Sequence, residues 1–188
     1  ATPEILIAEK NQNWTAVSLA GTQKRTATPY HWREKEREEH EFVSEHIRDV
    51  LNELKTTNYT ETGPFTVEAG SVAHLKTVFE FTGARSNFDY KKYVDLVHPT
   101  PAISGAPLKE AVKLINQIEN HNRALYTGYL GRVNQKTIDL YVNLRCAQIF
   151  SHTLVLYLGG GLTRQSVLEA EWQETEEKAK TLLKYIYE

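Results

Sequence analysis

One stretch near the C-terminus constrains the fold of the whole chain more than any other. An apolar, partly β-branched run at 154–158 leads into Gly159-Gly160-Gly161, and a polar turn then precedes a helical pattern. Glycines at the end of a strand let backbone N–H groups approach a ligand, because no Cβ stands in the way. Ser166 is expected to cap the helix, with Glu169 in capping-box position. The stretch therefore predicts a strand, a glycine turn and a helix in direct succession.

The predicted helix carries two carboxylates and a cation on one face. Glu171 and Glu174 lie three residues apart, and Lys178 follows Glu174 by four. Backbone donors for an anion beside paired carboxylates for a cation are typical of a site that binds an anion through a metal. Taken alone, this helix pattern is most often a solvated face, and a glycine run is often a turn and nothing more.

The carboxylate spacing occurs a second time, far upstream. A long helix is predicted from about Glu34 to Lys55, and Glu36 and Glu39 in its first turns repeat the three-residue interval. Some of this acid complements the positive N-terminus of the helix. The apolar residues at helical spacing are Phe42, Val43, Ile47, Val50, Leu51 and Leu54. The repeat favours a shared site over two unrelated solvated faces.

Length and composition exclude several classes of protein. At 188 residues the chain is expected to form one domain spanning 1–188. A net charge of −2 gives no electrostatic case for nucleic acid or an anionic membrane. Apolar runs stay well short of the roughly 20 residues that a membrane helix needs. Cys146 is the only cysteine, so no internal disulfide can form, and a reducing compartment, the cytoplasm, is expected.

Strand patterns outnumber helical ones along the chain. Strands are predicted at 4–9, 14–19, 65–68, 72–81, 126–132, 137–150 and in the run that enters the glycines, with a turn at 61–64. A short helix is predicted at 90–97, and an amphipathic helix after Pro107. Because hairpin-type connections dominate, the pattern predicts an α+β fold, a largely antiparallel sheet with helices packed on one side.

A series of short motifs accompanies these elements. They are Thr2-Pro3-Glu4, Leu19-Ala20-Gly21-Thr22, Lys35-Glu36-Arg37-Glu38-Glu39-His40, Ala73-His74-Leu75, Arg123-Ala124-Leu125-Tyr126-Thr127-Gly128, Leu144-Arg145-Cys146-Ala147, Gly159-Gly160-Gly161 and Glu171 through Lys178. In this order they resemble the chorismate-utilising enzymes over nearly the whole chain. The loop His98-Pro99-Thr100-Pro101-Ala102 resembles the isochorismate synthase branch. Anthranilate and aminodeoxychorismate synthases usually carry a Pro-x-Gly-Ser/Thr pattern there, and salicylate synthases also differ.

The resemblance implies hydration of chorismate at ring carbon 2 with loss of the carbon 4 hydroxyl. It implies that Glu39 and Glu174 hold Mg²⁺ against the ring carboxylate of the substrate, with Glu36 and Glu171 as partners through water. Magnesium suits such a set, because it keeps several waters and takes one or two protein carboxylates.

The same resemblance implies the roles of the other site residues. Glu4 matches the general acid that protonates the departing hydroxyl, and His74 matches a histidine beside the reacting face. The implied substrate-binding residues are Gly21, Thr22, Ala102, Tyr126, Arg145, Gly159, Gly161 and Lys178. Judged individually, Arg145 could equally form a cross-strand ion pair, His74 and Tyr126 could be core residues, and Glu4 a plain strand acid.

Two departures from the family pattern bear on function. No lysine here matches the family's general base, which lies upstream of the motif around Glu4, and Gln23 stands where an arginine is common. The resemblance thus implies the C-terminal part of an isochorismate synthase, inactive by itself and open to self-association through exposed sheet edges. The full-length protein is expected to be a monomer. The alternatives are another chorismate-utilising synthase, or a non-catalytic module that binds an acidic ligand.

Overall fold

The computed structural model describes residues 3–26, 29–184 and 186. For Pro3 it describes the backbone but not the side chain. Its strands are β1 (Pro3–Lys10), β2 (Asn13–Lys24), β3 (Thr60–Ala69), β4 (Val72–Thr82), β5 (Tyr129–Val133), β6 (Thr137–Asn143), β7 (Cys146–Ile149) and β8 (Leu154–Tyr157). Its helices are α1 (Glu34–Glu53), α2 (Tyr90–Val97), α3 (Pro101–Ser104), α4 (Leu108–Ile118) and α5 (Leu168–Leu183). Thr2 of the first motif lies outside the described residues.

Six of the strands form one sheet in the order β3-β4-β2-β1-β6-β5. Every pairing in it is antiparallel, which confirms the predicted fold class. The β1–β2 hairpin turns at Asn11 and Gln12, which adopt φ values of 53° and 66°. Two successive residues with positive φ are the geometry that matches the twist of a two-residue hairpin. The N-terminal strand is thereby placed at the middle of the sheet.

Helices α1 and α2 pack on the sheet and form the core with it. On β2 the buried side chains alternate, at Trp14, Ala16, Ser18 and Ala20, as expected for a strand with one covered face. The residues of α1 that join this core are Val43, Ile47, Val50 and Leu51. Helix α1 is confirmed close to its predicted bounds, because its apolar residues recur at the helical period. These side chains hold α1 against the sheet.

Three strand predictions were wrong in their bounds. The turn predicted at 61–64 lies inside β3, where the pairing with β4 shifts between Thr62 and Phe65. The strand predicted over 137–150 breaks at Leu144 and Arg145, and β7 pairs with β8 in a separate two-stranded sheet. The strand after Tyr126 begins only at Tyr129. A shift of pairing and a change of sheet depend on partner strands distant in sequence, so local patterns do not reveal them.

The cap predicted for α5 was also wrong. The helix begins at Leu168 after Val167. The hydroxyl of Ser166 instead accepts a hydrogen bond from the backbone N–H of Thr163, at 2.9 Å. The Ser166 hydroxyl thus closes the polar turn before the helix and does not cap the helix itself.

Helix α4 forms where the amphipathic pattern predicts it, but none of its residues is buried. Leu114 is 54% exposed and Ile118 62%. The edge strand β5 is likewise exposed along its length. Among the described residues, no helix is long and apolar enough to cross a membrane.

Candidate active site

A cavity of about 180 Å³ lies where the two carboxylate-bearing helices meet the glycine run. Ten of the fourteen residues that the sequence assigns to the site line it: Glu4, Thr22, Glu39, His74, Ala102, Tyr126, Arg145, Gly159, Gly161 and Lys178. They come from β1, β2, α1, β4, α3, α5 and the segments between them. The fold thus gathers into one cavity residues from nearly the whole length of the chain.

The glycine run passes so close to site side chains that larger residues would not fit. A Cβ built at Gly159 would lie 2.5 Å from the hydroxyl of Tyr126, and one at Gly161 would lie 2.9 Å from Oε1 of Glu39. At Gly160 the nearest atom would be Oε1 of Glu174, at 3.5 Å. Since neighbouring Cα atoms are about 3.8 Å apart, the carboxylates of Glu39 and Glu174 approach the same short piece of backbone.

Three of the four predicted metal carboxylates are each paired with a cation. Glu174 accepts from Lys178 at 2.7 Å, on the same face of α5 as predicted. Glu171 pairs with Lys35, and Glu36 pairs with Arg33. Lys178 also donates to the carbonyl of Gly159, at 2.9 Å, so it ties the helix to the glycine run. The cations offset the repulsion that so many carboxylates would otherwise exert on one another.

Glu39 is the exception among the four carboxylates, because in the described part of the chain it forms no ion pair. The pKa of its carboxyl is raised to about 7, chiefly by burial. Lys178 and Lys35 lower this pKa, while the neighbouring Glu174 and Glu171 raise it. A carboxylate that burial and like charges destabilise gains from any cation that enters the cavity.

Glu4 lies at the start of β1, in the middle of the sheet, with its carboxyl in the cavity. Burial raises its pKa to about 7, against the opposing effect of Arg145 and Lys178. A carboxyl with such a pKa can hold its proton near neutral pH and release it to a leaving group.

His74 and Arg145 form a buried polar chain with Thr22. Arg145 donates from Nη2 to Nε2 of His74 at 3.0 Å, and Nδ1 of His74 lies 3.1 Å from the hydroxyl of Thr22. Because Nε2 accepts, the ring is neutral and Nδ1 carries the proton. Burial and the charge of Arg145 lower the pKa of His74 to about 3. In this arrangement His74 holds the guanidinium of Arg145, and its place beside the reacting face stays a prediction.

Four of the fourteen predicted site residues are not among those that line the cavity. Two of them, Glu171 and Glu174, still reach the glycine run with their carboxylates. The other two are Gly21 and Glu36. Gly21 has a φ of 71°, and a Cβ there would lie 2.5 Å from the carbonyl oxygen of Glu36, so this glycine is required by the close contact with α1. Glu36, only 2% exposed, accepts from the backbone N–H of Arg33 at 3.1 Å and so caps α1. Its carboxylate is thus engaged with Arg33 and the start of α1, and its role as a water-mediated metal partner stays a prediction.

The sequence analysis missed four residues of the site. Glu119, His121 and Arg123 line the cavity. Arg123 donates to both carboxylate oxygens of Glu119, at 2.6 and 2.7 Å, and its guanidinium lies 5.5 Å from the ring centre of Tyr126. The available signal was the four-residue interval between Glu119 and Arg123, the first residue of a motif already singled out. The fourth is Lys35, next to Glu36 in the acidic run.

Comparison with known proteins places the chain in a family. A family model described as chorismate binding enzyme matches residues 1–187. Isochorismate synthase EntC of Escherichia coli (strain K12) is 30% identical over 97% of this chain and 49% of its own length. Anthranilate synthase component 1 of Aquifex aeolicus is 30% identical over 99% of the chain and 40% of its own length.

The solved structure of MenF, the menaquinone-specific isochorismate synthase of Escherichia coli, superposes with a TM-score of 0.75 at 25% identity. The superposition covers 96% of this chain and 44% of MenF. The chain spans about half the length of the isochorismate synthases with which it aligns.

Proposed function

The chain belongs to the chorismate-binding enzyme family, and from this premise we propose that it is the acid- and metal-bearing part of an isochorismate synthase. The reaction is the Mg²⁺-dependent conversion of chorismate to isochorismate. The observation that carries the proposal is the single cavity that holds Glu4, with a pKa of about 7, together with buried Arg145 and the carboxylate of Glu39.

The donor set around the glycine run fits magnesium. Within the described ranges no group of three or more His, Cys, Asp or Glu residues is arranged as a metal cage. Mg²⁺ needs no such cage, because it binds through one or two carboxylates and fills its other positions with water and ligand oxygens. Glu39 and Glu174 would hold it beside Gly160 and Gly161. When bound, the ion supplies positive charge that holds and polarises the ring carboxylate of the substrate.

Glu4 acts as the general acid. Its protonated carboxyl donates the proton to the hydroxyl that leaves ring carbon 4, while a base takes a proton from the water that adds at carbon 2. Without protonation the leaving group would depart as hydroxide, so a carboxyl that is still protonated near pH 7 lowers this barrier. The burial that raises the pKa of Glu4 is thereby put to use in the reaction.

Arg145 and Lys178 hold the negative groups of the substrate. Arg145 is 7% exposed and its guanidinium is fixed by His74, so it presents a forked pair of donors suited to a carboxylate. In this proposal His74 orients Arg145, and its place beside the reacting face stays a prediction. The ammonium of Lys178 adds a point charge at the glycine run.

The choice of isochorismate over other products depends on the loop 98–102. Ala102, the second residue of α3, lines the cavity, so this loop shapes the space next to the ring. Relatives of both reaction types align with this chain at 30% identity, and overall identity therefore does not favour one of them. The loop sequence does, since it has the isochorismate synthase form.

No lysine of this chain matches the general base that the reaction needs. A positioned base contributes about 10²–10⁴-fold to a rate. We therefore expect the 188-residue chain to convert chorismate more slowly than the complete gene product by about that factor. Equal rates would show that a residue of this chain is the base, and would require the roles above to be reassigned.

The proposed enzyme works on a small anionic metabolite as a cytoplasmic monomer. The single cysteine, Cys146, allows no internal disulfide, which agrees with a reducing compartment. The pathway that consumes the product, towards menaquinone or a siderophore, follows from partner enzymes and not from this site.

The test is product analysis with the complete gene product. Given chorismate and Mg²⁺, it should form isochorismate reversibly and without ammonia, as chromatography of the mixture will show. Replacement of Glu4 by glutamine should lower turnover about 10²–10⁴-fold. The control Glu80→Gln changes an exposed carboxylate on β4 and should leave turnover unchanged.

The runner-up is an aminating synthase, favoured by the anthranilate synthase relative. Accumulation of anthranilate or aminodeoxychorismate, only when ammonium is supplied, would establish it in place of the proposed reaction. Accumulation of salicylate would point to the branch that also eliminates pyruvate. Binding of chorismate with no turnover at all would identify a non-catalytic module.

A further inference from the structure

A buried ion pair joins the two helices that carry the site carboxylates. Lys35, in the first turn of α1, donates to Oε1 of Glu171, in the first turn of α5. The two residues are 136 positions apart in sequence and are 9% and 7% exposed. No role for Lys35 follows from the reaction as described above. Burial of two charges is expensive, so a pair in this place calls for an explanation.

The carboxylate of Glu171 reaches from Lys35 to the glycine run. Its Oε1 accepts from Lys35, and its Oε2 would lie 3.9 Å from a Cβ at Gly160. At the same position the distances to Oε1 of Glu174 and Nζ of Lys178 would be 3.5 and 3.9 Å. One oxygen of Glu171 is therefore held by Lys35, while the other faces the place where Glu39 and Glu174 converge.

Two other cations near these carboxylates are already paired with Glu36 and Glu174. Arg33 binds Glu36, with 73% of its own side chain exposed, and Lys178 binds Glu174. Within the described ranges, Lys35 is the one cation that forms an ion pair with Glu171. Removal of its ammonium would leave this buried carboxylate without a charged partner.

We propose that Lys35 is a positioning residue for the metal: it fixes the carboxylate of Glu171 and the start of α5, so that Glu174 faces Glu39. This inference depends on the proposed Mg²⁺ site. Groups that orient metal ligands from outside the coordination sphere are commonly as necessary as the ligands, and their loss typically weakens metal affinity about 10–100-fold.

A positioning role and a purely electrostatic role for Lys35 predict opposite changes in Mg²⁺ affinity when its ammonium is removed. If Lys35 acted only as a nearby positive charge, its removal would relieve repulsion and tighten Mg²⁺ binding. If it positions Glu171, its removal lets that carboxylate and the first turn of α5 move, and binding weakens. The sign of the change in affinity therefore separates the two roles.

The experiment measures Mg²⁺ affinity of the complete gene product by titration calorimetry, without substrate. We expect Lys35→Met to weaken Mg²⁺ binding about 10–100-fold, and Glu171→Gln to weaken it to a similar extent. The double variant should bind about as weakly as either single one, because both remove the same contact. Lys35→Arg, which keeps the charge, should recover most of the affinity.

Arg37→Met is the matched control. Like Lys35→Met, it removes one positive charge from the start of α1, two residues further along the helix. The side chain of Arg37 is exposed and donates to the carbonyl of Trp32. Its Mg²⁺ affinity should stay within about twofold of wild type, since an exposed charge at this distance is well screened. Circular dichroism in the presence of EDTA verifies the fold of each variant.

Unchanged or tighter Mg²⁺ binding by Lys35→Met, with wild type binding normally, would overturn the inference and leave the proposed function intact. If wild type itself does not bind Mg²⁺, the metal part of the proposed function fails, and the inference fails with it. Should Lys35→Met not fold, Glu171→Gln decides: normal affinity in that variant would equally overturn the positioning role.

Discussion

Helices α1 and α5 carry the same carboxylate spacing, but they are attached to the protein in different ways. Helix α1 buries Val43, Ile47, Val50 and Leu51 in the main core. Helix α5 buries only Ala179 and Leu182 among its apolar residues, and its other buried positions are Glu171, Lys178 and Thr181. Its Leu168 and Trp172 are 74% and 62% exposed.

The contacts that hold α5 are largely polar and several involve the site itself. Lys35 binds Glu171, Lys178 donates to the carbonyl of Gly159, and Ser71 donates to the carbonyl of Glu177 at 3.3 Å. Hydrophobic burial holds α1 whether or not the cavity is occupied. The position of α5, in contrast, depends on charges that a bound cation would rearrange. We therefore expect α1 to be the fixed wall of the proposed site and α5 to be the wall that responds to a bound cation.

The largest expected difference between the helices is in stability. Ile47→Ala on α1 removes a fully buried side chain and should lower the free energy of unfolding by about 2–5 kcal/mol. Trp172→Ala on α5 removes a larger but exposed side chain, and should change it by no more than about 0.5 kcal/mol. Urea denaturation measures both. Similar losses from both variants would show that α5 is anchored as firmly as α1.

The next difference concerns two carboxylates on α5. Glu174→Gln should lower Mg²⁺-dependent turnover about 10–100-fold, because it removes one of the two carboxylates proposed to hold the ion. Glu176→Gln changes an exposed carboxylate two residues later and should leave turnover within about twofold. Steady-state kinetics over a range of Mg²⁺ concentrations compares them. Equal behaviour would place the metal elsewhere.

The response of the helices to Mg²⁺ should also differ. At free Mg²⁺ about ten times its Kd, local opening that breaks the site should become roughly tenfold rarer. Hydrogen exchange in the first turns of α5 should slow by that factor, while amides around Ile47 in α1 should not change. Mass spectrometry of peptides from each helix measures this. Uniform protection, or protection limited to α1, would contradict the division between fixed and responsive walls.

The smallest effect is on the pH dependence of metal binding. The pKa of Glu39 is raised to about 7, so below pH 7 this carboxyl is mostly protonated and a cation must displace its proton. Affinity for Mg²⁺ should therefore fall as pH decreases from 7 to 6, by less than about tenfold in all, because a single proton is displaced. In Glu39→Gln this dependence should be much weaker, and calorimetry at several pH values compares the two.

The same pKa has the opposite consequence for the stability of the metal-free protein. Because the folded-state pKa is raised above the usual 4.5, Glu39 contributes stability below pH 4.5, and this contribution is lost as pH rises through about 7. Glu39→Gln should flatten this part of the stability profile in EDTA. A wild-type profile as flat as that of the variant would show that Glu39 is not destabilised by its surroundings.

Much of the architecture was accessible from local sequence pattern. The apolar period of α1, the β1–β2 hairpin and the bounds of α2 all follow from residues close in sequence, and the structure confirms them. The glycine run next to a carboxylate-bearing helix indicated the site, since small residues at a strand end and acids at a fixed interval are both local features.

The sequence by itself determined which elements form and which residues are available to the site. Only the tertiary structure decided how those residues are used. Lys35 forms an ion pair with Glu171, which lies 136 residues away in sequence, and Arg33 forms one with Glu36. Burial and the charge of Arg145 keep His74 neutral. The break that moves β7 into a second sheet is decided in the same way, by its partner strand β8. Charge pairing, burial and strand partnership are properties of neighbours in space, and residues distant in the chain become neighbours only when it folds.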